Sequence, residues 1–307
     1  MKIAVFGVGG VGGYFGARLA AAGCDVTFIA RGKHLEAMRR DGLRVVSPLG
    51  DVTIPHPNAV DDVREVGKVD LVLVTVKLWD TATVAQALKP LADQGAAVLS
   101  FQNGVQKDEI LAQHLPASAI IGGVSYIAAV ISAPGVITHS GTMQKLVFGE
   151  YDGTRSARVE ALHEACQRAG IASEVSTDIR RLIWEKFVFL VGLSGATASI
   201  RKPIGPIREN PRTRAFLLDV MREVVAIGRA KGVDLPANFA EDRLAFCDTL
   251  PPAMAASMHH DLEHGHRLEL PWLSGGVAEL GAQLGIPTPR NSAITDILAL
   301  YADGTAH

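Results

Sequence analysis

The chain of 307 residues is 48% hydrophobic and carries 30 Lys and Arg against 32 Asp and Glu, a formal charge of −2. That is long enough for two domains with real cores; it excludes a disordered composition and argues against a dedicated nucleic-acid binder. Cys24, Cys166 and Cys247 are odd in number, widely spaced and without a CxxC, which argues against a disulfide framework or a cysteine zinc site and fits a reducing cytoplasm.

Met1 to Phe6 reads as a buried strand that begins at once, leaving no room for a signal peptide. Gly7-Val8-Gly9-Gly10-Val11-Gly12 follows as a GxGxxG turn, and Tyr14 to Ala22 reads as a helix with small residues at Gly16, Ala17 and Ala20. The motif alone is weak; strand, turn and helix together set it above a glycine-rich hairpin. Gly7 permits the tight turn, Gly9 lets the backbone approach a pyrophosphate, and Gly12 allows helix to pack on sheet, with helix N–H groups and dipole facing the anion. The next strand, Asp25 to Ala30, ends in Arg31-Gly32-Lys33-His34. No acid stands from Ile29 to Gly32 to accept from a ribose 2′-OH, and Asp25 lies at the strand's wrong end. An arginine there suits a 2′-phosphate and hence NADP(H). The plainer alternative makes Arg31 and Lys33 solvated loop charges.

Val69 to Val76 is a branched apolar run typical of a strand buried on both faces. Thr81 to Leu91 reads as helix, Ala96 to Ser100 as strand and Lys107 to His114 as helix, which implies a parallel, doubly wound, Rossmann-like sheet. Ile120 to Gly149 has Gly, Pro and alternating apolar segments and suits antiparallel strands finishing the sheet. Arg155 to Ala169 then reads as a helix closed by Gly170, and Ile171 to Val175 as a last strand. From Thr177 onward the pattern is all-helical, with helices over Asp178 to Ile200, Thr213 to Lys231, Asn238 to Leu250, Ala253 to His264, Pro271 to Leu284 and Asn291 to Ala302. This α/β reading divides the chain into a cofactor domain, 1–176, and a helical domain, 177–307, with a substrate cleft expected between them. The longest apolar stretches, Ile120 to Val130 and Phe187 to Ile200, fall short of the ~20 residues that cross a bilayer. The apolar helical half is compatible with a homodimer.

Lys77 and Asn103 each follow a parallel strand directly and should project from the carboxyl edge where cofactor lies; turn chemistry before Gly104 explains Asn103 equally well. Lys186 lies in Leu182-Ile183-Trp184-Glu185-Lys186-Phe187-Val188-Phe189-Leu190, apolar almost throughout. Desolvation there would make it a useful proton donor, the alternative being a lysine that snorkels from a packed helix. Glu269 sits at a helix joint just before Pro271 and could meet Lys186. Ser257 is a hydroxyl for a ligand or simply a packed helix serine. His259, His260, His264 and His266 lack HExxH and stand among Asp261 and Glu263, so no metal site is expected.

These residues resemble the ketopantoate reductase (2-dehydropantoate 2-reductase) family nearly end to end. The likeness rests on GVGGVG with Arg31, Val76-Lys77, Gln102-Asn103-Gly104, Trp184-Glu185-Lys186, and Ser257-Met258 followed by Asp261, Gly265, Arg267 and Glu269. The resemblance implies NADPH-dependent reduction of a small 2-oxo acid. Gly7, Val8, Gly9, Gly10, Val11, Gly12, Arg31, Lys77 and Asn103 would hold cofactor. Lys186 would be the general acid, held by Glu269, with Lys77, Asn103, Lys186, Ser194 and Ser257 around the substrate. The resemblance makes 2-dehydropantoate the best guess for the substrate; where the family carries asparagines, this chain has Leu190, Ser194 and Ile204, so a less polar 2-oxo acid or ketone is the alternative. A non-catalytic NADP(H) sensor is the alternative of another class, and the presence of both Lys186 and Glu269 argues against it.

Overall fold

The structure, a computed structural model, describes residues 1–305 and divides into two compact units, Met1–Arg180 and Arg181–His307. In chain order the first holds β1 (Lys2–Phe6), α1 (Gly10–Ala21), β2 (Asp25–Ile29), α2 (Gly32–Asp41), β3 (Leu43–Val46), β4 (Val52–Ile54), β5 (Asn58–Val60), β6 (Leu71–Val74), α3 (Thr81–Asp93), β7 (Ala97–Ser100), α4 (Lys107–Ala112), β8 (Ile120–Ala133), β9 (Val136–Gly149), α5 (Ala157–Arg168) and β10 (Ala172–Val175). The strands form one sheet in the order β4-β3-β9-β8-β7-β6-β1-β2-β5, with β10 beside β9. From β5 to β8 every pairing is parallel, while β8 and β9 form the expected antiparallel pair.

Alternation along each central strand builds two cores. Ile3, Val5, Phe28, Leu73 and Leu99 face one layer with Tyr14, Phe15 and Leu19 of α1. Ala4, Val72, Val74 and Val98 face the other with Val84 and Leu88 of α3. Burial on both sides explains the unbroken apolar runs of β6 and β7.

Several elements depart from the sequence reading. Helix α1 begins at Gly10, inside the glycine turn, because the backbone winds at once although glycine carries little helix propensity. Helix α2 starts immediately after Arg31, so the basic residues expected in a loop stand at a helix N-terminus. Strands β3, β4 and β5 were not anticipated; with three or four residues each they are too short to show a period.

The second unit holds α6 (Ile179–Ile200, whose first two residues belong to the first unit), α7 (Ile204–Glu209), α8 (Pro211–Ala230), α9 (Phe239–Asp248), α10 (Ser257–Glu263), α11 (Ser274–Leu284) and α12 (Pro289–Leu298). Helix α6 is the one described helix long and apolar enough to cross a membrane, yet 67% of that stretch is buried within the protein, as befits a core helix. Helix α7 stands between Ile200 and Thr213, where no helix was expected, and α10 starts at Ser257 rather than at Ala253. Glu223 accepts from the Arg290 and Asn291 backbone N–H groups at 2.8 and 3.0 Å, capping the N-terminus of α12 from α8.

Glu150 accepts from Ser156 Oγ at 2.5 Å and from Arg158 Nε and Nη2 at 2.8 and 2.7 Å, ahead of α5. Burial pushes its carboxyl pKa up, but the Arg158 and Ser156 hydrogen bonds outweigh this and hold it below the ordinary value. A depressed folded pKa stabilises above the unfolded value and loses that contribution as pH falls through the folded one. Glu150→Gln should therefore cost about 2 kcal/mol near neutrality, with the gap to wild type closing in acid; urea melts at stepped pH test this. Among the described residues the cysteines are unbridged. Cys24 is partly exposed, whereas burial pushes the Cys166 and Cys247 thiols up to about 12 and about 11.

Candidate functional site

Sheet register collects the first set of residues. Phe6 pairs with Ile29 and Val74, and Val74 pairs with Ser100. The glycine turn after Phe6, Arg31 after Ile29, Lys77 after Val74 and Asn103 after Ser100 therefore leave adjacent strands at one carboxyl edge. The strand order reverses at this point, between β1 and β6, where open α/β sheets bind ligands.

The turn itself is shaped as an anion cradle. Gly7 adopts φ +98°, a left-handed conformation that disfavours side chains, and its carbonyl accepts from Thr75 Oγ1 at 2.6 Å. A Cβ on Gly10 would overlap the Ala129 carbonyl oxygen, and one on Gly12 would overlap Gly7 O and Thr75 Oγ1. At Gly9 there is nothing within 4 Å. Helix α1 has no side-chain cap and no acid in its first turn, so its N–H groups stay available to a phosphate. Beside the turn, burial lowers the His34 pKa against the opposing effect of the Val8 backbone, and Nδ1 accepts from Gly135 N–H at 3.0 Å. The ring is thus held uncharged.

Arg31 precedes α2 and its guanidinium is 86% exposed, meeting Asp80 at 3.2 Å. Such an exposed pair contributes little to stability, and its charge remains accessible to a ligand. Lys77 is exposed, with Nζ 5.7 Å from the Trp79 ring centroid, and Asn103 is half-buried before Gly104 at φ +93°.

The sequence reading missed what fixes these loops. Gln102 is buried and its Nε2 donates to Val76 O at 2.9 Å and Thr81 Oγ1 at 2.7 Å, while Ser100 Oγ donates to its Oε1 at 2.9 Å. One amide thus ties the Asn103 loop to the Lys77 loop. Beneath it Lys107, 1% exposed, donates to Ser100 O at 2.9 Å and to Asp108 at 2.8 Å, and Tyr151 OH reaches the same carboxylate at 2.5 Å. Although Tyr151 is 48% exposed, loss of water around its hydroxyl, followed by the Asp108 charge, raises its pKa. A charged residue gave no sequence signal of such burial.

In the second unit Lys186 is half-buried in α6 among buried Ile183, Trp184, Phe187 and Val188. Glu269 is 4% exposed and precedes a single turn over Leu270–Trp272 that contains Pro271. Ser257 is exposed at the first position of α10. Leu190 is half-buried and Ile204 fully buried. Ser194, expected to touch substrate, is fully enclosed on α6 with an unpartnered Oγ. Ser274 of α11, which sequence gave no reason to single out, is likewise enclosed and unpartnered. Among the described residues no group of three His, Cys, Asp or Glu could hold a metal ion.

Family models described as ketopantoate reductase PanE/ApbA and its C-terminal domain match residues 3–153 and 178–302. The 2-dehydropantoate 2-reductase of Halobacterium salinarum is 33% identical over 98% of this chain and 98% of its own. The crystal structure of 2-dehydropantoate 2-reductase from Geobacter metallireducens superposes with a TM-score of 0.90 at 31% identity, covering 98% of this chain and 99% of that one. A D-mandelate dehydrogenase structure, at 19% identity and a TM-score of 0.89 over 98% of both chains, shares the fold. Two adjoining models that span most of the sequence leave one assignment: the chain belongs to the ketopantoate reductase family of oxidoreductases.

Proposed function

We propose that this chain reduces a small 2-oxo acid with NADPH, 2-dehydropantoate being the first candidate. The observation that carries the reading is the convergence of an open glycine cradle, Arg31, Lys77 and Asn103 on one carboxyl edge. Arg31 supports the phosphorylated coenzyme: its guanidinium is exposed, and α2 behind it has no acid in its first turn. Bound NADPH would supply a hydride to the carbonyl carbon. Lys186 Nζ donates a proton to the carbonyl oxygen, so that C=O becomes CH–OH, and Glu269 holds the lysine in place. Lys77 and Asn103 orient the coenzyme and the acid, and Ser257 binds the acid. The unbridged cysteines support work in a reducing, cytoplasmic setting.

A panel of 2-oxo acids assayed with NADPH and NADH tests this. We expect a kcat/KM at least about tenfold higher with NADPH, reversed or erased in Arg31→Asp. Tight NADPH binding without turnover on any oxo acid would overturn the reading. A second reading, a less polar 2-oxo acid, is favoured by the hydrocarbon of Leu190 and Ile204. Equal rates with 2-dehydropantoate and its analogue lacking the hydroxyl would select it.

A further inference from the structure

His259 belongs to none of the roles above, yet it is the one buried polar side chain of α10. It is 5% exposed, and its Nδ1 lies 2.8 Å from the backbone oxygen of Thr197 on α6. A carbonyl oxygen only accepts, so Nδ1 carries the proton and donates. At the other end of the ring Nε2 lies 3.2 Å from Glu263 Oε1, one turn further along α10, and the His260 ring packs edge-on at 5.7 Å.

The receiving end is equally fixed. Thr197 is fully buried, and its Oγ1 donates to Leu193 O at 2.7 Å. On a helix, positions 186, 190, 194 and 197 fall along one face. His259 therefore fastens the first turn of α10 to the same face of α6 that bears Lys186. Ser257 stands in that turn, exposed, two residues before the imidazole. The chain ahead of it is anchored separately, through Ile204 N–H to Met254 O and Gly205 N–H to Pro252 O, both at 2.9 Å. The stretch from Met254 to Ser257 is thus held at both ends, by a backbone pairing at one and by the histidine at the other.

We propose that His259 is a positioning residue for the oxo acid: by bonding the Thr197 carbonyl it sets where Ser257 presents its hydroxyl relative to Lys186. This deepens the proposed function and rests on it. Removing the bond loosens the substrate's grip and leaves coenzyme binding and proton delivery alone. An enclosed stitch with a merely structural role would lower the melting temperature and move nothing else.

The experiment compares wild type, His259→Phe and His259→Asn with the best 2-oxo acid of the panel. Asparagine keeps an N–H donor near the place of Nδ1; phenylalanine keeps the ring volume without it. We expect His259→Phe to raise KM for the oxo acid at least tenfold, with kcat within threefold of wild type and KM for NADPH unchanged. His259→Asn should restore most of the lost KM. An unchanged oxo-acid KM in a folded His259→Phe enzyme overturns the proposal, as does a fall in kcat with KM constant. Should His259→Phe fail to fold, His259→Leu takes its place, and the same KM outcomes, read beside His259→Asn, decide. Absence of oxo-acid reduction in wild type overturns the proposed function itself, a result distinct from any of these.

Discussion

Lys186→Ala should lose at least roughly 10²-fold in kcat while binding NADPH within about twofold of wild type. The proton given to the carbonyl oxygen must come from a group that holds it near neutrality and releases it as negative charge develops. Lys186, half-buried on α6 beside Ile183, Trp184, Phe187 and Val188, is the proposed donor. Alanine keeps the helix, so secondary structure and melting temperature should change little. Steady-state kinetics and fluorescence titration with NADPH separate the two effects, and a kcat loss below about tenfold would remove Lys186 from the proton-donor role.

The glycine turn gives the second large effect, and its glycines should respond in opposite ways. Gly10→Ala sets a methyl into the Ala129 carbonyl, and Gly12→Ala sets one into Gly7 O and Thr75 Oγ1. Backbone atoms cannot step aside as a side-chain tip can, so each should cost at least the roughly 1–3 kcal/mol of an overpacked site and lower the melting temperature by several degrees. Gly9→Ala meets nothing within 4 Å and should melt like wild type. If the proposed coenzyme site is right, its methyl would enter the space a pyrophosphate needs, and NADPH affinity should fall about tenfold or more. Calorimetry on the apoprotein together with coenzyme titration distinguishes the pattern. A Gly9→Ala protein with unaltered NADPH affinity would place the phosphates elsewhere.

What could be read from the sequence was whatever depended on local pattern. Val69 to Val76 announced β6 because burial on both faces leaves an uninterrupted apolar run, and the glycine spacing announced the turn because its backbone demands are local. Helix α2 was hidden by its composition: it opens on Gly32 and ends in Arg39, Arg40 and Asp41, with Leu35, Ala37 and Met38 alone turned inward. Nothing in the sequence marked Lys107 as buried, because charge normally marks surface; only the fold brings Ser100 O and Asp108 to it. Gln102 and His259 were silent for the same reason, since each bonds an element distant in sequence. Ser194 could be placed on the Lys186 face by helical spacing, but spacing says nothing of how tightly other elements close over that spot.

The three thiols make the protein its own unfolding reporter. A maleimide added to the native chain meets only Cys24, since Cys166 in α5 and Cys247 in α9 are sealed inside separate units and hold their protons. As denaturant rises, the order in which the two remaining sulfurs become alkylated tells which half of the molecule opens first. Mass spectrometry of the labelled peptides would read that order without any engineered probe.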